Sequence, residues 1–178
     1  YETLLTEIID YIIVIKMNRP EKLNAWNPTM GKELTEAIKQ ANEDEDIIAI
    51  VLSGAGKGFC SGADIDAFFK KKSEGKQVEN SNIMRDWVSL IRGSKPIVAA
   101  INGAAYGGGL EKALACDIRL CSENAHMALS EVKVGLCPPG GSFNLPRLIG
   151  LSNAMWLLLS GERVEAEEAY RIGIVSKV

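Results

Sequence analysis

Two short apolar runs, residues 47–52 and 96–101, each break directly into a glycine-rich turn. Both are too short and too β-branched for helices, so they read as buried strands. The first enters the segment from Gly54 to Gly62. The second enters Asn102-Gly103 and then Gly107-Gly108-Gly109, where a helical run through Leu110, Leu114 and Ala115 begins. Strand, glycine turn and helix in repeated order leave a chain few options: parallel strands joined by crossover helices, an α/β architecture.

The remaining pattern agrees. Residues 11–17 form an apolar strand with residues 4–9 as its expected partner. Asn27-Pro28 places a capping side chain before a proline at the first helical position, and Met30, Leu34 and Ile38 follow at helical spacing, which predicts a helix from Pro28 to about Asn42. Ile83, Trp87, Leu90 and Ile91 predict a second helix ending at Gly93. A strand pair at residues 118–121 and 127–129 leads to a loop over residues 135–141, and helices over residues 152–159 and 166–172 follow. No linker or repeat divides the chain, so residues 1–178 read as one domain.

Composition removes several classes of function. With 20 basic against 23 acidic residues and a net charge of -3, the chain has no basic footprint and no nucleic-acid partner is expected. Cys60, Cys116, Cys121 and Cys137 contain no Cys-x-x-Cys pair, and His126, the only histidine, is not spaced to complete a metal site. Reduced thiols point to the cytoplasm. No run approaches the ~20 apolar residues of a membrane span, and residues 1–10 carry no secretory signal, although the chain begins with Tyr. The run Gly54-Ala55-Gly56-Lys57-Gly58 lacks both the dinucleotide spacing and the Gly-Lys-Ser/Thr of a phosphate loop, so neither NAD nor ATP is implied.

The chemistry concentrates at the two turns. Glycines after buried strands leave backbone N–H groups free to point outward, and those at Gly107 to Gly109 open a helix whose positive end favours negative charge. A thioester oxygen becoming an enolate would be stabilised between two such turns; equally, each could be only a tight turn. Glu111 lies one helical turn beyond Gly108 and can share its face. Glu131 follows a strand and precedes Pro138-Pro139-Gly140-Gly141. Two carboxylates in an apolar pocket could hold a water, one accepting its proton and the other, kept protonated by burial, supplying a proton to carbon. Spacing alone favours two surface or ion-paired glutamates among the 23 acidic residues.

The segments Asn18-Arg19-Pro20-Glu21-Lys22-Leu23-Asn24-Ala25, Gly58-Phe59-Cys60-Ser61-Gly62-Ala63-Asp64-Ile65 and Asn102-Gly103 through Gly107-Gly108-Gly109 to Ala115-Cys116-Asp117-Ile118 resemble, in order, the signatures of the enoyl-CoA hydratase/isomerase (crotonase) family. The likeness continues through Leu145-Pro146-Arg147-Leu148-Ile149-Gly150 and Arg171-Ile172-Gly173-Ile174-Val175. It implies a spiral of ββα turns and an oxyanion hole from the N–H groups of Ser61 and Gly108. It further implies a substrate lining from Ser61, Gly62, Ala63, Asp64 and Ile65, and CoA contacts from Lys22 and Leu23. Glu111 and Glu131 fall at the positions of the family's two hydratase glutamates, Glu111 activating the water and Glu131 exchanging the proton at the α-carbon. The expected reaction is syn addition of water to an acyl-CoA thioester, or its reversal, without metal or other cofactor and with coenzyme A carried by the substrate. A homotrimer or hexamer is implied. An enoyl-CoA isomerase is the nearest alternative, and a non-catalytic CoA- or RNA-binding scaffold the next.

Three departures from the family pattern stand out. Pro139 replaces a common glycine and the loop after it is one residue shorter. Lys112 replaces an apolar or small polar residue. The chain stops at Val178, where the family continues into C-terminal trimerisation helices, which are therefore expected to be absent. Lys70, Lys71, Lys72 and Lys76 read as a solvated face more than as ligands of CoA phosphates. His126 is read as half-buried and not catalytic, and Trp26, Trp87 and Trp156 as core or interface.

Overall fold

The computed structural model describes residues 1–67 and 83–178; the lysine run from Lys70 to Lys76 lies outside them. The N-terminal strands β1 (Leu4–Ile9) and β2 (Ile12–Met17) form the expected antiparallel pair, with Leu4 opposite Met17. The chain then climbs a spiral in which each turn gives one strand to each of two sheets. β3 (Ala49–Gly54), β5 (Ile97–Ile101) and β7 (Ile118–Cys121) extend the first sheet in the order β1-β2-β3-β5-β7, parallel after β2. β4 (Gly58–Cys60), β6 (Ala104–Tyr106), β8 (His126–Ala128) and β9 (Val164–Glu165) form the second.

Helices fill the intervals: α1 (Pro28–Glu43), α2 (Ile83–Arg92), α3 (Gly108–Ala115), α4 (Pro139–Ile149), α5 (Leu151–Ser160) and α6 (Ala166–Ile172). α1 starts as its sequence dictates, with the Asn27 side chain accepting the Met30 N–H at 2.9 Å and Pro28 in the first turn. Met30, Leu34, Ala37, Ile38 and Ala41 make its buried stripe. They join Ile15, Met17, Ile50, Leu52, Phe59 and Ile97 in one contiguous apolar cluster between the sheets and the helices.

Three sequence expectations change. Residues 118–121 and 127–129 do not pair with each other: β7 joins the first sheet beside β5 and β8 joins the second beside β6. The three-residue strands β4 and β6, inside what looked like turns, are too short to show a period. The expected loop over residues 135–141 also ends early. Residues 131–134 make a 3₁₀ turn, and α4 already begins at Pro139, with Pro146 inside it.

A buried asparagine ties the first turn of the spiral together. Asn24, fully buried in the left-handed region at φ 57°, accepts the Arg19 N–H at 2.8 Å and donates to the Ala55 and Gly58 carbonyls at 2.9 and 2.7 Å. Asparagine tolerates this backbone better than most residues. Asn24→Ala removes three hydrogen bonds and leaves the Arg19 N–H and the Ala55 carbonyl without this partner, and a loss of about 1–3 kcal/mol, read from the denaturant midpoint, is expected.

Candidate active site

β4 and β6 deliver the two glycine turns to one place. After β4 the chain forms an isolated parallel bridge between Trp26 and Ala63, with the Trp26 N–H donating to Gly62 O and the Asp64 N–H to Trp26 O, both 2.8 Å. In a parallel ladder the residue between two such bonds turns its own N–H to the opposite edge. For Ala63 that is the edge on which β6 runs into Gly107 and Gly108. The α-carbon of Gly62 lies close by, since a Cβ there would stand 3.8 Å from Gly108 N.

This corrects the expectation for Ser61. Its N–H already donates to Leu23 O at 3.0 Å, and its hydroxyl lies 3.2 Å from Lys22 O, so Ser61 fastens the residue 22–23 segment and has no N–H to offer an oxyanion. Ala63, exposed at the end of the same turn, has no N–H acceptor among the described residues, nor does Gly108 in the first turn of α3. The parallel bridge to Trp26, invisible in sequence, decides which amide is left over.

Gly107 makes the turn into α3 at φ 50°, a conformation that suits glycine, and its N–H donates to Ala128 O at 2.9 Å. Glu111 is 3% exposed. Its Oε1 accepts the Gly141 N–H at 2.8 Å, so it meets the positive end of α4, while Oε2 faces the space beside Gly108, 4.0 Å from where a Cβ would stand. Glu131 approaches from the 3₁₀ turn, and a Cβ on Gly107 would lie 2.9 Å from its Oε1. Its Oε2 is buried with no hydrogen-bond partner among the described residues.

Burial raises both carboxyls above the ordinary glutamate value, and for Glu131 the Glu111 charge adds to it. Backbone N–H groups of Gly140 and Gly141 and the Lys112 charge pull Glu111 the other way. The backbone donors on Glu111 favour negative charge there, whereas burial and the Glu111 charge favour a proton on Glu131.

Lys22 and Leu23, expected to meet CoA, are held against the turn from Ser61 to Asp64. Leu23 is exposed at φ 48°, and Lys22 Nζ lies 3.3 Å from Asp64 Oδ2. Arg19 donates to the same Asp64 oxygen at 2.8 Å. Burial alone would raise Asp64, but these two donors outweigh it and hold the carboxyl below its usual range. Ile65 is 68% exposed.

Two residues of this site were not singled out from sequence. Trp26, read as core or interface, is buried in the core, and its Nε1 also lies 3.4 Å from the position of a Gly108 Cβ, near which Glu111 Oε2 stands. Gly141 supplies the N–H on Glu111, because α4 starts within the expected loop. Trp87 is buried as expected, whereas Trp156 is 64% exposed. His126 pairs with the Tyr106 hydroxyl at 2.7 Å. All four cysteines are free thiols, and among the described residues no cluster of His, Cys, Asp and Glu could hold a metal.

The spiral of ββα turns thus brings together two amide N–H groups without an acceptor among the described residues, those of Ala63 and Gly108, a buried Glu111 and a half-buried Glu131. A family model described as enoyl-CoA hydratase/isomerase matches residues 7–178. The chain is 43% identical to the (E)-benzylidenesuccinyl-CoA hydratase of Thauera aromatica, over 97% of this chain and 68% of that one. It is 39% identical to the short-chain-enoyl-CoA hydratase of Clostridium acetobutylicum, over 94% and 65%. The crystal structure of enoyl-CoA hydratase from Bacillus anthracis superposes with a TM-score of 0.90 at 32% identity, covering 99% of this chain and 69% of that one. The chain belongs to the enoyl-CoA hydratase/isomerase family and has the crotonase fold, spanning about two thirds of these relatives' length.

Proposed function

We propose that the protein is an enoyl-CoA hydratase that adds water syn across the conjugated double bond of an acyl-CoA thioester, or removes it. The observation that carries this reading is a pair of carboxylates with different surroundings, the buried Glu111 bonded by Gly141 and facing Gly108, and the half-buried Glu131 beside Gly107 with an unsatisfied Oε2. The N–H groups of Ala63 and Gly108 receive the thioester oxygen and stabilise the enolate that forms when a nucleophile adds at C3. A water between the carboxylates gives a proton to Glu111 Oε2 as its oxygen bonds to C3. Glu131, carrying the proton that burial favours, delivers it to C2 from the same face. The proton taken up by Glu111 returns to Glu131 through the next water, which restores the starting state.

Lys22, Leu23, Ala63, Asp64 and Ile65 line the CoA side, with Asp64 holding the Arg19 and Lys22 segment against the turn. No metal or further cofactor enters this scheme. Assembly into a trimer or hexamer belongs to the proposal, and it draws support from the exposed apolar residues Leu151, Met155, Trp156 and Leu159 on α5. A cytoplasmic setting rests on the free thiols, and among the described residues no helix is long and apolar enough to cross a membrane.

Loss of the conjugated enoyl absorbance of crotonyl-CoA tests the activity directly, with consumption expected and its absence counting against the hydratase. Gly108→Ala tests the placement. The added methyl meets only ordinary contacts, 3.4 Å from Trp26 Nε1 and 4.0 Å from Glu111 Oε2, so the protein folds. Because the methyl stands where the substrate must lie, turnover is expected to fall by about 100-fold, the scale of losing one oxyanion donor. Unchanged turnover would remove Gly108 from the scheme.

A further inference from the structure

The direction of the Ala63 N–H depends on how one peptide plane is held. In a trans peptide the carbonyl and the N–H point opposite ways, so the Ala63 N–H is aimed by the bond that Gly62 O, in the same plane, accepts from the Trp26 N–H at 2.8 Å. Gly62, at φ 101°, offers little resistance of its own to rotation of that plane, because it has no Cβ to clash. The bridge between Trp26 and Ala63 is isolated, and its only other backbone bond runs from the Asp64 N–H to Trp26 O. Two neutral hydrogen bonds are a modest restraint for a group that must keep its aim.

One guanidinium reinforces both sides of that bridge. Arg19 donates through Nη1 to Ala25 O at 2.6 Å and through Nη2 to Asp64 Oδ2 at 2.8 Å. Ala25 precedes Trp26 on one side of the bridge and Asp64 follows Ala63 on the other, so the guanidinium ties the two segments together beside the plane. The Arg19 and Asp64 side chains are only 15% and 6% exposed. Charge-assisted bonds from a planar fork are stronger and more directional than neutral ones, and salt screens them little when they are buried. Lys22 shares the same Asp64 oxygen at 3.3 Å, but its side chain is 42% exposed, so it can turn to a ligand while Arg19 stays. We infer that Arg19 and Asp64 are positioning residues for the reaction: their ion pair keeps the Trp26 bridge closed and so keeps the Ala63 N–H aimed at the thioester oxygen. The inference rests on the hydratase reading, from which it takes the Ala63 N–H as an oxyanion donor.

The test reads the thioester carbonyl directly. Butyryl-CoA is saturated and binds without being hydrated, and an isotopic label at its carbonyl carbon isolates a stretching band that falls in frequency when donors polarise the bond. A downshift on binding is expected in the parent, and Asp64→Asn should lose most of it while still binding butyryl-CoA. In the same variant kcat for crotonyl-CoA should fall by about 10- to 100-fold, the scale of a misplaced or lost donor. The fall should be as large for the crotonyl thioester of pantetheine, which lacks the nucleotide. An equal downshift in parent and variant overturns the inference and leaves the hydratase intact, even where the denaturant midpoint drops. So does a loss confined to KM for crotonyl-CoA, since Asp64 would then serve only the grip of Lys22 on CoA. Should Asp64→Asn fail to fold, Arg19→Lys decides by the same band, because lysine cannot fork between Ala25 O and Asp64. A parent without any downshift overturns the oxyanion hole and the inference together, whereas a parent that shows one but consumes no crotonyl-CoA loses the hydratase reading alone.

Discussion

Glu111→Gln and Glu131→Gln are each expected to lower enoyl-CoA turnover by about 10²- to 10⁴-fold, the range for losing a positioned acid or base. Gln keeps the shape and, at position 111, can still accept the Gly141 N–H, so the loss reports proton transfer and not collapse of the site. The double variant should lose little more than the worse single one, because groups that act as a unit are not additive. An isomerase working through Glu131 alone would survive Glu111→Gln, so retained turnover in that variant would shift the reaction to double-bond migration.

Stability should move the opposite way, and its pH dependence has a definite sign. Both carboxyls are raised above 4.5 in the fold, chiefly by burial. A raised carboxyl favours folding while it is protonated, and that contribution is lost as pH climbs through the raised value. Each Gln variant should therefore gain thermal stability relative to the parent as pH rises from the ordinary glutamate value through the raised one. A difference in Tm that stays flat across that window would mean that the carboxyls are not perturbed by burial. Gain of stability with loss of activity is the usual signature of a site whose groups are held against their preference.

Gly109→Ala is expected to damage the whole molecule. A Cβ at Gly109 would lie 2.1 Å from the Cys60 carbonyl oxygen and 2.8 Å from the Cys60 Cβ, so backbone must move. α3 and β4 can approach this closely only because Gly109 brings no side chain between them. Forcing them apart would separate Gly108 from the turn that carries Ala63. A loss of about 3 kcal/mol or more is expected, at the severe end for one methyl, read as a lowered denaturant midpoint together with lost activity. Normal stability would show that the two elements can part without cost.

Much of this site was legible before the fold. The two glycine turns after β-branched strands, Glu111 one helical turn past Gly108, and the Asn27-Pro28 start of α1 are local signals, written within a few residues of one another. The family signatures then tied Glu131 to Glu111 across 20 positions of sequence. Lys112 stood out as a departure from the family pattern, but sequence could not say that its ammonium is buried between two indoles.

What the sequence by itself determined was therefore the alternation of strand, turn and helix, the glycines that permit the turns, and the carboxylates available to them. Only tertiary structure decided which groups face one another. Ser61 lost its amide to Leu23 O and Ala63 kept its own because a strand from residue 26 lies along one edge of the turn, a contact 37 positions distant. Gly141 reached Glu111 because α4 starts at Pro139 and docks against α3. Trp26 came to lie beside Gly108 through packing of the same kind. A side chain's period along the chain reports which face of its own element it occupies; what lies opposite that face depends on how the elements pack.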